Sequence, residues 1–154
     1  MTRALAAAID ARIRDSFARQ GFMKKLGVEL RRIDTGYCEL AVRYDESLTQ
    51  QHGYIHAGVT ATIADNACGY AAYSVMPENS TVLTTEFKMN MLAPAKGPIL
   101  VARARVIKPG RTLVVVQSDV YSIDGADEAH VATMLATAMC LMDKPDLKTA
   151  APIG

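Results

Sequence analysis

The architecture of this chain follows from the stretch HGYIHAGVTATIADNACG, which runs from His52 to Gly69. It joins a glycine-containing turn to an alanine-rich segment that continues to about Val75. On a helical wheel the segment is apolar on two opposite sides, so we expect a helix enclosed by a curved sheet, or by a sheet and a partner subunit. Asp65 is the only acidic residue at positions 47–77. A lone carboxylate in such a segment must be desolvated or paired, as is common where chemistry happens.

The residues around this helix alternate between apolar and polar with the period of β-strands. Strands are predicted over 28–34 and 37–44, which form a hairpin, and then over 82–92, 99–108, 112–123 and 131–142. A helix is predicted over 2–20 and a helical turn over 22–26. One long helix after two strands, followed by four more strands in mostly hairpin order, indicates an α+β domain with an antiparallel sheet.

The strand predicted over 82–92 has its large apolar side chains at alternate positions. Leu83, Phe87, Met89 and Met91 are therefore expected on one face of the sheet. Thr84 is expected on the opposite face, together with the charged residues of this strand.

The composition is that of an ordinary globular domain without a preference for polyanions. The chain has 154 residues, 17 of them basic and 16 acidic, and its formal net charge is +1. These values favour a single domain and argue against nucleic acid or an anionic membrane as a partner. The three cysteines are far apart and in no disulfide or zinc spacing, and no segment approaches the length of a membrane span. We therefore expect a soluble cytoplasmic protein.

Asp65 and the amides at the start of the long helix are candidates for one reaction site. Amides near Ala57 and Gly58 lie at the positive end of the helix dipole and can stabilise an oxyanion. Asp65 follows Gly58 by seven residues, which places it about 10 Å further along an α-helix. Over that distance the amides and the carboxylate of one chain cannot both contact the same carbonyl group. The spacing favours a homodimer in which one chain supplies the amides and the other the carboxylate.

Plainer interpretations of the same residues also exist. Asp65 can be a hydrogen-bonded structural carboxylate, and His56 a turn histidine that bonds a neighbouring backbone group. A metal site at His52, His56 and Asp65 is conceivable, but this spacing matches no usual ligand pattern.

The sequence resembles a known family over residues 21–142. The stretch quoted above, TTEFKMNMLAPA from Thr84 to Ala95, and KPGRT from Lys108 to Thr112 are similar to the hotdog-fold acyl-CoA thioesterases of the phenylacetate-pathway, or PaaI-like, group. That family has a His-Gly-Gly turn followed two helical turns later by Asp, and this chain has His-Ala-Gly at that turn. The resemblance implies a hotdog domain over 21–143 in which a curved antiparallel sheet wraps a long central helix. The N-terminal helix over 1–20 and a C-terminal tail over 144–154, both predicted from the sequence pattern, lie outside it.

The resemblance also implies a role for each matching residue. Asp65 corresponds to the catalytic carboxylate, which acts as general base or nucleophile, and the Ala57 amide corresponds to the oxyanion donor. His56 matches the turn histidine, and Thr84 matches a water-positioning hydroxyl on the strand that crosses from the partner. Gln50 stands where the family commonly has an asparagine. Candidates for binding the coenzyme A part of the substrate are Gly58, Lys108, Gly110 and Arg111.

The expected function is therefore a cytoplasmic acyl-CoA thioesterase without a metal or bound cofactor. The resemblance implies a homodimer that forms the site, and we expect a dimer of such dimers. Two alternatives remain open: a hotdog hydratase or dehydratase that uses His56 with Asp65, and a non-catalytic protein that binds acyl-CoA.

Overall fold

The computed structural model describes residues 6–144. The start of the predicted N-terminal helix and the predicted tail beyond Lys144 lie outside these residues. Two helices, α1 and α2, precede a hairpin of β1 and β2, the long helix α3 follows, and four strands complete the chain. The bounds are α1 Ala7–Ala18, α2 Gly21–Leu26, β1 Glu29–Asp34, β2 Tyr37–Arg43, α3 Ala57–Tyr73, β3 Ser80–Met91, β4 Ile99–Pro109, β5 Leu113–Asp124 and β6 Asp127–Met142. Within the described residues no helix is long and apolar enough to cross a membrane.

The six strands form one antiparallel sheet in the order β1-β2-β4-β5-β6-β3. Strands β4, β5 and β6 are joined as hairpins, as predicted. β3 does not pair with the strands next to it in sequence, because α3 and the loop after it carry the chain to the far edge beside β6. The predicted α+β architecture, a sheet around a long helix with an extra N-terminal helix, is confirmed.

Small side chains allow α3 to lie close to the sheet. Ala64, Ala67 and Ala71 are fully buried on the side that faces β2, β4 and β5. The opposite side carries a partly accessible strip made of Gly58, Ala61, Thr62, Asp65 and Gly69. The two apolar sides predicted for this helix are both largely buried within one chain, since Ile63 on one side and Ala64 and Ala72 on the other are fully buried.

A β-bulge in β3 corrects the predicted assignment of its faces. The pairing with β6 shifts between Thr84 and Glu86, so Thr85 is an extra residue. Thr84 pairs with Ala138 and Phe87 with Ala136, and both of these alanines are buried against the core. Thr84 therefore lies on the same face as Phe87, Met89 and Met91, whereas Leu83 lies on the other face. The prediction for Leu83 and Thr84 was wrong because strict alternation cannot anticipate an inserted residue.

Arg12 fastens α1 to the end of α3. Its guanidinium donates to the carbonyl oxygens of Tyr73 (3.2 Å) and Met76 (3.3 Å). It also donates to those of Pro77 (2.7 Å) and Glu78 (3.0 Å), and its Cζ lies 4.0 Å from the centre of the Tyr73 ring. One side chain thus satisfies carbonyls that the end of a helix leaves without partners.

Candidate active site

The turn before α3 leaves one backbone donor free. His56 is the N-cap residue, and its Nδ1 accepts a hydrogen bond from the Gly58 N–H at 2.8 Å. The His56 carbonyl accepts from Val59 (3.0 Å) and Thr60 (3.2 Å). No group among the described residues accepts from the Ala57 N–H, and Ala57 is exposed. The predicted oxyanion donor is therefore available at the positive end of α3.

Gly58 leaves room for this cap. A β-carbon at that position would lie 3.0 Å from His56 Nδ1, which is tighter than most contacts of this kind, so the His56 ring would have to shift slightly. The contact between His56 and Gly58 is the neighbouring-backbone interaction that a turn histidine was expected to make. In neutral His56 the ring proton consequently lies on Nε2.

A cavity of about 470 Å³ opens beside the Ala57 amide, and we name it the Ala57 cavity. Gln50, Tyr54 and Thr60 line it together with apolar residues of the segment after β3. The Gln50 Oε1 accepts from the His52 N–H, which leaves the side-chain Nε2 group as a donor. Two residues implied by the resemblance, Gln50 and Ala57, thus meet at one cavity.

Asp65 is a half-buried carboxylate with incomplete hydrogen bonding. Thr84 lies near it and lowers its pKa, but the Asp65 Oδ1 is buried and has no hydrogen-bond partner among the described residues. Burial raises the pKa of Asp65, and the hydrogen bond from Thr84 only partly opposes this effect. A carboxylate with a raised pKa and a free oxygen is suited to accept a proton.

The bulge in β3 brings Thr84 to Asp65. Thr84 lies close enough to the carboxylate of its own chain to lower the pKa of Asp65. Bulges are frequent beside active sites because they redirect a side chain.

Ala57 and Asp65 do not meet within one chain. Both belong to α3, and eight residues of helix separate them by about 12 Å. Asp65 does not line the Ala57 cavity. Within one chain the Ala57 amide and the Asp65 carboxylate are therefore too far apart to act on one carbonyl. This separation is the reason for expecting a site shared between two subunits.

Cys68 lies one turn beyond Asp65 and is buried. Burial raises the pKa of its thiol, and the charge of Asp65 raises it further. The thiol form is thereby favoured, which is the opposite of what a thiolate nucleophile needs.

Lys108 lies near the end of β4, Gly110 and Arg111 lie on the connection to β5, and all three are exposed. This connection is at the end of the sheet where α3 finishes, because Val106 N–H donates to the Gly36 carbonyl and Gly36 N–H to Ser74 Oγ. Within one chain these residues are therefore remote from the Ala57 amide. Gly110 has a steric role as well, since a β-carbon there would lie 2.2 Å from the Leu113 carbonyl oxygen.

Sequence reasoning missed the cavities on the other side of the α3 N-terminus. A cavity of about 390 Å³, which we name the Phe22 cavity, is lined by Phe22 and Leu26 of α2 and by His56 and Gly58. Helix α2 and the loop after β2 meet there only in the folded chain. The one available signal was the pair Phe22 and Leu26, four residues apart on a short helix. As to metals, nowhere in residues 6–144 do three His, Cys, Asp or Glu side chains form a group that could hold an ion.

Comparison with known proteins identifies the family. Residues 52–129 match the family model described as the thioesterase superfamily. A protein of Saccharolobus solfataricus is 35% identical over 100 residues, which make up 65% of each of the two chains. The chain is similar to a 1,4-dihydroxy-2-naphthoyl-CoA hydrolase of Listeria monocytogenes, with 25% identity over 71% of this chain and 85% of the relative.

Solved structures show the same fold. A thioesterase family protein from Silicibacter pomeroyi superposes with a TM-score of 0.85 at 48% identity, over 87% of this chain and 98% of the other. The PaaI protein of the Escherichia coli phenylacetic acid degradation operon has a TM-score of 0.79 at 18% identity, over 88% and 95% of the two chains, which shows a shared fold. This chain belongs to the thioesterase superfamily and has the hotdog fold of PaaI-like proteins.

Proposed function

We propose that this protein is an acyl-CoA thioesterase that hydrolyses an acyl- or aryl-CoA to the free acid and coenzyme A without a metal or cofactor. The observation that carries the proposal is the Asp65 carboxylate, which is half-buried, lies beside Thr84 and has no hydrogen-bond partner at Oδ1. Membership of the thioesterase superfamily supports hydrolysis of a thioester. The similarity to a hydrolase named for an aryl-CoA supports coenzyme A as the thiol.

The unpaired edge of the sheet supports a homodimer. Within the described residues β3 pairs only with β6, so its other edge is open. Leu83, Phe87 and Met91 on this strand are 54%, 49% and 48% exposed. An apolar edge strand beside an uncovered helical strip is suited to a second copy of the chain. Such a dimer would bring Asp65 of the partner subunit towards the Ala57 amide.

In such a dimer each reaction site takes catalytic groups from both subunits. The substrate carbonyl oxygen accepts hydrogen bonds from the Ala57 amide and Gln50 Nε2, which stabilise the oxyanion of the tetrahedral intermediate. Asp65 of the partner subunit either takes a proton from the attacking water or attacks the carbonyl itself, and in the second route water cleaves the resulting anhydride. The coenzyme A thiolate leaves and takes up a proton, and the acid is released.

The first experiment is Asp65→Asn, assayed by thiol release from a panel of acyl-CoAs. We expect turnover to fall by about 10²- to 10⁴-fold, as for loss of a general base. Asp119→Asn is the matched control, because Asp119 is a buried carboxylate on β5 that bonds Thr133, Gln117 and Arg105 rather than facing α3. Near-normal turnover by Asp65→Asn refutes the proposal. Loss of enoyl conjugation without thiol release would identify a hydratase, and binding without turnover a non-catalytic protein.

The second experiment tests the shared site by mixing two inactive variants. Asp65→Asn subunits retain the Ala57 amide, and Ala57→Pro subunits retain the carboxylate. Half of the randomly reassembled dimers are mixed, and each mixed dimer has one site with both groups intact. About a quarter of the wild-type activity should therefore return if the dimer is two-fold symmetric. A mixture that stays inactive although the subunits exchange means that the site does not combine these groups across the dimer.

A further inference from the structure

A second β-bulge lies in β6, where this strand pairs with β5. Val120 pairs with Ala132 and Tyr121 with His130, so Val131 is an extra residue on β6. Val131 and Ala132 are both buried. In a regular strand, one of two neighbouring residues would point to the outer face of the sheet, the face away from α3. The bulge therefore turns the side chain of Val131 into the molecule.

The bulged residue supports one wall of the Ala57 cavity in two ways. The side chain of Val131 lines the cavity directly. Its carbonyl oxygen accepts hydrogen bonds from the Leu92 N–H at 2.8 Å and from the Ala93 N–H at 3.3 Å. Leu92 and Ala93 line the same cavity. A shift of Val131 would therefore displace both its own side chain and the segment that follows β3.

Side chains on the outer face hold the bulge in register. The His130 ring stacks on the ring of Tyr121, with the ring centres 4.9 Å and the planes 24° apart. His130 Nε2 lies 3.3 Å from Asp119 Oδ1, and the Thr133 hydroxyl donates to the same oxygen at 2.8 Å. Residues three positions apart point to opposite faces of a regular strand. His130 and Thr133 reach one carboxylate only because Val131 is inserted between them.

A further contact fastens β6 just before the bulge. The guanidinium of Arg103 on β4 donates to both carboxylate oxygens of Glu128, at 2.6 and 2.9 Å. Its Cζ also lies 4.9 Å from the centre of the Tyr121 ring. A slip of β6 by one residue would turn Glu128 and His130 away from these partners. The outer-face contacts thus favour the bulged register over a regular one.

Under the proposed function, the acyl group of the substrate extends into the Ala57 cavity. The substrate carbonyl is placed at the Ala57 amide and Gln50, which both line this cavity. The other lining residues are mostly apolar, and they include Ile55, Met91 and Val131. One methylene group in an apolar pocket changes kcat/KM by about 10- to 200-fold. The position of Val131 can therefore decide which acyl groups fit.

We propose that His130 is a positioning residue for acyl-group selectivity. From the outer face of the sheet it holds the bulge that sets Val131 and the segment 92–93 against the acyl group. His130 acts through β6 and does not contact the substrate. This assignment rests on the proposed thioesterase function, which places the acyl group in the cavity. Asp119→Asn keeps an oxygen beside His130 and Thr133, so the bulge should persist in that variant.

The first test compares His130→Ala with the wild type on a series of straight-chain acyl-CoAs from acetyl to decanoyl. We expect the ratio of kcat/KM between short and long chains to change by about tenfold. The change should appear in KM with little effect on kcat, because the displaced wall contacts only the unreactive part of the substrate. Leu135→Ala is the matched control, since it removes an exposed side chain from the outer face of β6 beyond the bulge. It should leave the ratio unchanged.

A double-mutant cycle shows whether the effect passes through the bulged residue. Val131→Ala should alter the chain-length ratio directly, because it widens the cavity. His130→Ala should then have a much smaller effect in the Val131→Ala background than in the wild type, since coupled residues are not additive. An equal effect in both backgrounds would mean that His130 does not act through Val131, and it would overturn the proposal.

Amide hydrogen exchange measured by NMR makes the test independent of turnover. In His130→Ala the Leu92 and Ala93 amides should exchange about tenfold faster, because their acceptor on the bulge is less firmly held. Thr133→Val, which removes the hydroxyl with little change in shape, should act in the same direction, and Leu135→Ala should not. Failure of the wild type to hydrolyse any thioester would refute the proposed function, yet exchange would still decide whether His130 holds this wall.

Three further results overturn the assignment. The first is an unchanged chain-length ratio in folded His130→Ala. The second is an equal fall of kcat for every chain length, which indicates general damage to the fold. The third is unchanged exchange at Leu92 and Ala93. If His130→Ala does not fold, Thr133→Val decides by the same measurements.

Discussion

At the scale of single residues, Asp65 combines a reactive group with a cost to stability. Burial raises its pKa, so the native state binds its proton more tightly than the unfolded state does. The native state is consequently favoured most below the ordinary Asp pKa, and this contribution is lost as the pH rises through the native pKa. At neutral pH the ionised form of Asp65 therefore lowers the free energy of unfolding.

We predict that Asp65→Asn raises the melting temperature at neutral pH, because the amide cannot ionise. The difference from wild type should vanish near about pH 3, below the ordinary Asp pKa of about 3.9. Thermal unfolding followed by circular dichroism at both pH values measures this. A melting temperature at neutral pH that falls on substitution would contradict the assignment of Asp65 as a desolvated carboxylate.

The pKa of Asp119 is shifted in the opposite direction from that of Asp65. Burial disfavours its ionised form, but the hydrogen bonds from Thr133, Gln117 and Arg105 together outweigh it, and the pKa of Asp119 is lowered. Its contribution to stability is present above the ordinary Asp pKa and is lost as the pH falls through the native pKa. We therefore predict that Asp119→Asn lowers the melting temperature at neutral pH, in the same measurement.

Ala57 allows the backbone amide to be deleted without breaking the helix. Proline is tolerated at the first helical position, and His56 already has the extended conformation (φ −62°, ψ 141°) that a residue before proline needs. Ala57→Pro should reduce kcat by about 10²- to 10³-fold, the usual loss for one oxyanion donor. Ala57→Gly keeps the N–H and should stay close to wild type, with circular dichroism reporting the fold of both. Full activity in Ala57→Pro would remove the amide from the mechanism.

At the scale of elements, α1 depends on Arg12 for its attachment to α3. We predict that Arg12→Ala lowers the free energy of unfolding by about 1–3 kcal/mol, since carbonyls at the end of α3 lose a charged donor. Arg12→Lys should recover part of this, because an ammonium cannot reproduce the fork of donors. Urea denaturation measures the change. An equal loss in Arg12→Lys and Arg12→Ala would show that the Tyr73 stacking, rather than the carbonyl contacts, is decisive.

The elements differ in how well local sequence predicts them. The helix α3 and the hairpins among β4, β5 and β6 follow from periodicity and from turns such as Asp124-Gly125. The faces of β3 do not, because the bulge at Thr85 is defined by its pairing with β6. Since the bulge also aims Thr84 at Asp65, the feature that alternation missed is one that shapes the site.

At the scale of the whole molecule, the open edge of β3 is the feature that connects assembly with activity. Phe87 lies on the face of β3 that turns towards α3, yet it is about half exposed. An apolar side chain in that position is suited to burial against a second copy of the chain.

We predict that Phe87→Glu yields monomers with greatly reduced thiol release, because a charge there would be buried without a partner. Ile107→Glu, which changes an equally exposed side chain on β4 (52%), should leave assembly and activity intact. Light scattering after size-exclusion chromatography gives the mass, and the acyl-CoA assay gives the activity. A fully active Phe87→Glu monomer would refute a site that needs two subunits.

The sequence by itself determined the elements that depend on near neighbours: the enclosed helix, the strand pattern, the His56 turn and the isolated Asp65. Periodicity and turn chemistry depend on residues that are close together in the chain, so they can be recognised in the amino-acid sequence. The folded structure alone decided that β3 lies at the edge of the sheet and that Thr84 lies beside Asp65. These arrangements join residues far apart in the chain, and they depend on strand register.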